Sequence, residues 1–114
     1  MNGLVARLFG YRSMTYRLEF HERALDEWRS LDAAVRARLK EKLAERLENP
    51  RVQKDRLSQS KDRYKIKLKR PGIRLVYEVR NQEITVAVIA IGPRERSAAY
   101  RVAAKRTYFT KREK

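Results

Sequence analysis

The chain has 114 residues, room for one domain with one modest core. It carries 29 Lys and Arg against 14 Asp and Glu, a formal charge of +15 that repels itself and gathers polyanions, nucleic acid first among them. With no cysteine and one histidine, His21, it excludes a disulfide framework, a thiolate metal site and a histidine cluster.

In chain order, residues 1–13 are too short and interrupted for a signal peptide, and Met14 directly precedes the first patterned segment. They read as a disordered or added leader outside the fold. No apolar run approaches the ~18 residues of a membrane span, so the chain reads as cytoplasmic. Thr15 to Phe20 alternates apolar and polar residues, the period of a half-buried strand. From Glu22 the period lengthens: Ala24, Leu25, Trp28 and Leu31 predict a short amphipathic helix, with Trp28 as a core anchor and His21 as a capping or surface residue. Asp32 reads as the N-cap of a second helix, carried by Val35, Leu39, Leu43 and Leu47 until Asn49-Pro50 stops it. Arg36, Arg38, Lys40, Glu41, Lys42, Glu45 and Arg46 are expected on its outer face.

Residues 51–62 read as a polar, basic loop. Tyr64 to Lys69 then alternates without fault, and Pro71-Gly72 supplies turn chemistry before a strand over Arg74 to Arg80. Asn81-Gln82 turns the chain into Ile84 to Ile91, an apolar run expected at the centre of a sheet and covered on both faces. Glu95 to Arg106 has helical composition. Residues 107–114 form a basic tail, read as frayed, whose Tyr108 and Phe109 offer rings for base stacking. The order β-α-α-β-β-β-α predicts an α+β fold: a small, largely antiparallel sheet with a helical hairpin packed on one face and a basic open face on the other.

Alternation carries the chemistry. If Tyr64, Ile66 and Leu68 point into the core, Lys65, Lys67 and Lys69 project from the opposite face, ~7 Å apart. Arg74, beyond the turn, can join them. Like charges at that spacing repel by about 0.6 kcal/mol per pair in water and ~2.4 kcal/mol at an effective dielectric near 20. Two readings account for such a face: a solvated surface that protects a sheet edge, or a surface that meets phosphates. The net charge of +15 favours the second. Cleavage of RNA through its own 2′-hydroxyl asks for a base, a cationic partner for the phosphorane and an acid for the departing 5′-oxygen. A histidine pair is excluded, and a lysine base needs a pKa brought from ~10.4 to near 7 or 8, a change of ~4 kcal/mol. The composition therefore supports RNA binding more directly than RNA cutting.

Four segments carry a resemblance: Glu22-Arg23-Ala24-Leu25-x-Glu27-Trp28, Tyr64-Lys65-Ile66-Lys67-Leu68, Gly72-x-Arg74-Leu75-Val76-Tyr77-x-Val79 and Ile91-Gly92-x-Arg94-Glu95-Arg96-Ser97-x-x-Tyr100. In order and in register, they resemble the RelE-type toxins of the RelE/ParE superfamily across a domain of residues 14–106. The resemblance implies the toxin of a type II toxin-antitoxin system, a metal-independent endoribonuclease that needs the ribosome. It would cut mRNA in the A site and inhibit translation. It also implies a cognate antitoxin, contact with rRNA and mRNA, and no small-molecule cofactor. By motif, Lys65, Lys67, Arg74, Arg94 and Tyr100 form the implied catalytic set. The lysines would act as base and charge stabilisers, the arginines would hold phosphate and assist the leaving group, and the tyrosine would stack on or orient the nucleotide. The family often has an arginine where this chain has Ser58, and Arg56 and Lys61 are the neighbouring cations. Together with Lys69 and Arg96 they are the implied RNA-binding residues. Two other readings use the same fold: a non-catalytic RNA- or ribosome-binding protein, and a ParE-like inhibitor of a topoisomerase.

Overall fold

The computed structural model of the chain describes residues 15–57 and 62–108. The expected leader, Ser58, Lys61 and Phe109 lie outside the described residues. Strand β1 (Arg17–Phe20) leads into helices α1 (Glu22–Arg29) and α2 (Ala33–Glu48). Strands β2 (Arg63–Leu68), β3 (Ile73–Arg80) and β4 (Thr85–Pro93) follow, and helix α3 (Ala98–Ala104) closes the described chain. The sheet order is β1-β4-β3-β2. The β2–β3 and β3–β4 pairs are antiparallel hairpins, but β1 pairs in parallel with β4, Arg17 opposite Thr85. The sheet is thus mixed: the two helices carry the chain back before β4 arrives. Among the described residues no helix is long and apolar enough to cross a membrane.

The apolar stripe of α2 forms because Val35, Leu39 and Leu43 recur every four residues. It buries them against Tyr64, Ile66, Leu68, Leu75, Tyr77, Val86 and Val88. Asp32 holds the N-cap position as expected, although its side chain makes no capping bond. His21 caps α1 with Nδ1 accepting from the Arg23 N–H at 3.1 Å. Trp28 is half-buried at the rim of the core, its ring 5.4 Å from that of Phe20. Arg46, expected on the solvated face of α2, is turned inward instead. It pairs with Asp55 at 2.8 Å and donates to the Tyr77 hydroxyl at 2.8 Å and the Lys65 carbonyl at 3.2 Å. The long arginine arm ties α2 to the sheet.

Central strand β4 is covered on both sides as its composition predicts. Val86, Val88 and Ile91 face the helical hairpin, while Ala87, Ile89 and Ala90 pack under Ala99 and Ala103 of α3. The small side chains at this second interface let α3 lie close to the sheet. The face opposite the hairpin is therefore open over part of its area and roofed over the rest.

Burial, then Arg106 and Arg23, lower the His21 pKa, against Glu22 and Glu27. A lowered value in the folded state means the unfolded chain binds the proton more readily. The stability this group supplies is present above the unfolded value of ~6.5 and is lost as pH falls through the folded one. Protonation also removes the Nδ1 lone pair from the Arg23 amide. We expect the midpoint of thermal unfolding to fall between pH 7.5 and 5.5. In a His21→Asn variant, which keeps a capping acceptor, the fall should be smaller; an equal fall would assign it to other groups.

Candidate functional site

Three alternate rungs of the β2–β3 ladder present their side chains on the face away from α1 and α2: Lys67 opposite Arg74, Lys65 opposite Val76, and Arg63 opposite Glu78. Tyr64, Ile66 and Leu68, in the other phase, are in the core. Exposure falls along this line, from exposed Lys67 through half-buried Lys65 to buried Arg63. The alternation read from the sequence thus sets Lys65, Lys67 and Arg74 side by side. Like charges directly across a strand pair destabilise it, so the Lys67–Arg74 rung is retained against the interest of the sheet.

The buried end of the same face carries what composition concealed. Arg63 Nε donates to Glu78 at 2.8 Å, and Arg80 donates to the other oxygen of the same carboxylate at 2.6 Å. The guanidinium of Arg63 also donates to the carbonyls of Ala103 and Arg106, at 2.6 and 2.8 Å, and Arg80 to that of Tyr108 at 2.9 Å. Helices leave their last carbonyls without intrahelical partners, and a cation there also meets the helix dipole favourably. Arg63 fills that place for α3. Arg106 pairs with Glu27 at 2.8 Å, and the Tyr108 hydroxyl donates to Glu19 at 2.6 Å. Of the tail expected to fray, Thr107 and Tyr108 are among the described residues, and Tyr108 is docked, its ring buried and not offered to bases. Apolar contact and two polar links, from Arg80 and to Glu19, hold Tyr108 in place despite its basic neighbours.

Anchored in this way, α3 holds Tyr100 over the patch. Tyr100, like Leu57, packs against the cluster that contains Val76, and the Arg74 guanidinium is close enough for its charge to act on the Tyr100 hydroxyl. Burial raises the Tyr100 pKa, with Arg74 opposing, so near neutral pH it is an intact hydroxyl. A continuous helix from residue 95 to 106 would point Arg94 and Tyr100 apart. The chain avoids it: Glu95–Ser97 is a short 3-10 turn in which Arg96 and Ser97 have φ of 54° and 53°, and α3 starts at Ala98. Arg94, just past β4, still donates its N–H to the Gly72 carbonyl at 3.1 Å and lies across the β2–β3 turn.

Lys65, Lys67, Arg74 and Tyr100 therefore form one contiguous group, with Arg94 at the edge formed by the turn. Lys69 is exposed at that turn, and Arg96 is exposed in the 3-10 turn. Arg56 is not part of the group. It bridges to Tyr64, a residue of the helix-side core, and its charge acts on Asp62 and Tyr64, so it lies on the other side of β2 from the lysines. Lys61 and Ser58 lie outside the described residues. Sequence reading missed the supporting set Arg63, Glu78 and Arg80. A faint signal was available, because Arg63 continues the phase of Lys65 and Lys67, and Glu78 is an acid in a cationic phase.

Over residues 18–98 the sequence matches the family described as the ParE toxin of type II toxin-antitoxin systems, parDE. It is 52% identical over 93 residues to the mRNA interferase toxin RelE of Escherichia coli K12, covering 82% of this chain and 98% of that protein. Among solved structures it is similar to a double arginine-to-alanine variant of E. coli RelE in the free state. There the TM-score is 0.77 and the identity 48%, covering 83% of this chain and all of the other. It is also similar to a chain of the intact E. coli RelBE toxin-antitoxin complex, with TM-score 0.68 and 51% identity over 71% of this chain and 99% of that one.

Proposed function

The chain belongs to the RelE/ParE family of type II toxins as a RelE-type member, and on that premise we propose that its basic sheet patch cuts mRNA bound in the ribosome. It is an mRNA interferase, an endoribonuclease whose partner is an antitoxin protein. The observation that carries the site assignment is the convergence of Lys65, Lys67 and Arg74 under Tyr100, with Arg94 at the turn. In the proposed reaction the 2′-hydroxyl of one nucleotide attacks its own 3′-phosphorus. The bond to the next 5′-oxygen breaks, leaving a 2′,3′-cyclic phosphate and a 5′-hydroxyl. One lysine takes the 2′ proton, the neighbouring cations hold the charge that grows on the phosphorane, and an arginine steadies the departing 5′-oxygen, which takes a proton from water to become the hydroxyl. The Tyr100 ring, held by α3 against the sheet, orients the base or ribose.

Open on one side, this patch neither excludes water nor fixes a flexible RNA. A decoding site that grips the codon supplies alignment and enclosure together, effects worth many powers of ten in rate. The free protein should be nearly inert on naked RNA. Mapping mRNA 5′ ends after induction, with and without active translation, tests this. Cuts in register with the reading frame, confined to translated messages, are the expected result. Intact messages in arrested cells would leave a binding protein or a topoisomerase poison, and equal cutting of untranslated RNA would remove the ribosome from the scheme.

A further inference from the structure

Gly72 stands in the turn between β2 and β3, where a glycine is ordinarily explained by the turn itself. Its φ lies outside the left-handed region, so the backbone there suits any L residue. What it lacks room for is a side chain: a Cβ would stand 2.7 Å from Cδ of Arg94, 2.9 Å from its Nε and 3.0 Å from its Cγ. The arm of Arg94 is laid along the bare backbone of Gly72, and the carbonyl of the same residue accepts the Arg94 N–H at 3.1 Å. We propose that Gly72 is a positioning residue for the cleavage reaction: by presenting no side chain, it sets the path along which Arg94 reaches the RNA phosphate.

This inference rests on the assignment of Arg94 to the cutting site. A methyl group at position 72 keeps the carbonyl that receives the Arg94 amide and removes only the space for the arm. Arg94 is exposed, so its side chain can swing to another rotamer and the fold survives. Alanine also lowers the entropy of the unfolded chain, which favours stability at a backbone it can adopt. The guanidinium, however, is displaced by an ångström or more, and misplacement on that scale costs about a hundredfold in rate.

The test compares Gly72→Ala, Arg94→Ala and the double variant by single-turnover mRNA cleavage on programmed ribosomes, by affinity for those ribosomes and by thermal melting. Gly72→Ala should slow cleavage by ten- to a hundredfold with ribosome affinity unchanged. In the Arg94→Ala background it should have no further effect, and any melting temperature lost through the methyl clash should return there. A wild-type rate in Gly72→Ala beside a defective Arg94→Ala overturns the inference alone. So does an equal loss from Gly72→Ala in both backgrounds. An Arg94→Ala variant that cuts normally removes the site assignment, and the inference with it.

Discussion

Replacing Lys65 and Lys67 together with alanine is expected to slow mRNA cleavage by about a thousandfold or more, while the protein stays folded and still enters the ribosome. Removing a proton-transfer group costs ~10²–10⁴ in rate, and removing a charge stabiliser ~10²–10³. The two losses should not multiply if the lysines act on one transition state. Stability should change by less than about 0.5 kcal/mol, since neither ammonium group supports the core and their mutual repulsion with Arg74 is relieved. Ribosome affinity should fall modestly, because many other cations remain to meet rRNA phosphates. Single-turnover cleavage, ribosome co-sedimentation and melting curves separate the three effects. Cleavage within tenfold of wild type would remove the lysines from the chemistry, and binding lost in parallel with cutting would make them docking residues.

The largest stability effect should come from Glu78. Its carboxylate lies between Arg63 and Arg80, and the Arg63–Glu78 side chains are 7% and 9% exposed. Glu78→Ala leaves two guanidinium groups near each other, away from water, without the charge they share. Taking one partner from such a buried pair costs ~3–5 kcal/mol. In a domain of this size that is a fall in melting temperature of about 10 °C or more. Asp62→Asn provides the contrast: the Arg51–Asp62 pair is 34% and 32% exposed and should be worth no more than ~1 kcal/mol. Asparagine also tolerates the φ of 60° at that position. If both substitutions shift the melting temperature alike, the buried network is not what holds the end of α3. Because α3 carries Tyr100, the surviving folded fraction of Glu78→Ala should also cut slowly.

The cationic patch was legible from the sequence because a strand leaves little choice. Once Tyr64, Ile66 and Leu68 are committed to the core, Lys65 and Lys67 have one other side to occupy. The covered central strand followed from its unbroken apolar run. What stayed hidden was the division of labour among the arginines. Composition counts Arg46, Arg63, Arg80 and Arg106 with the cations available to RNA, yet each is used inside the protein, against Asp55, Glu78 or Glu27. Local pattern reports the phase of a residue and not what roofs that phase, and the roof here is α3, contributed by a distant part of the chain. For the same reason Tyr108 reads as tail in the sequence and as wall in the structure. Gly72 was visible as a turn glycine, but the proposed reason for it lies in Arg94, at the end of the neighbouring strand.

The parallel pairing of β1 with β4 has a consequence for synthesis. The first strand waits for a partner whose first paired residue, Thr85, lies far along the chain, and the arginines of β2 and β3 wait longer still for the carbonyls of Ala103, Arg106 and Tyr108. Contacts so remote in sequence form late. A nascent chain therefore cannot both close β1 against β4 and seat α3 on the sheet until the residues up to Tyr108 have emerged from the exit tunnel. On the proposed assignment, a product that stops before α3 lacks the helix that carries Tyr100 and should not cut mRNA.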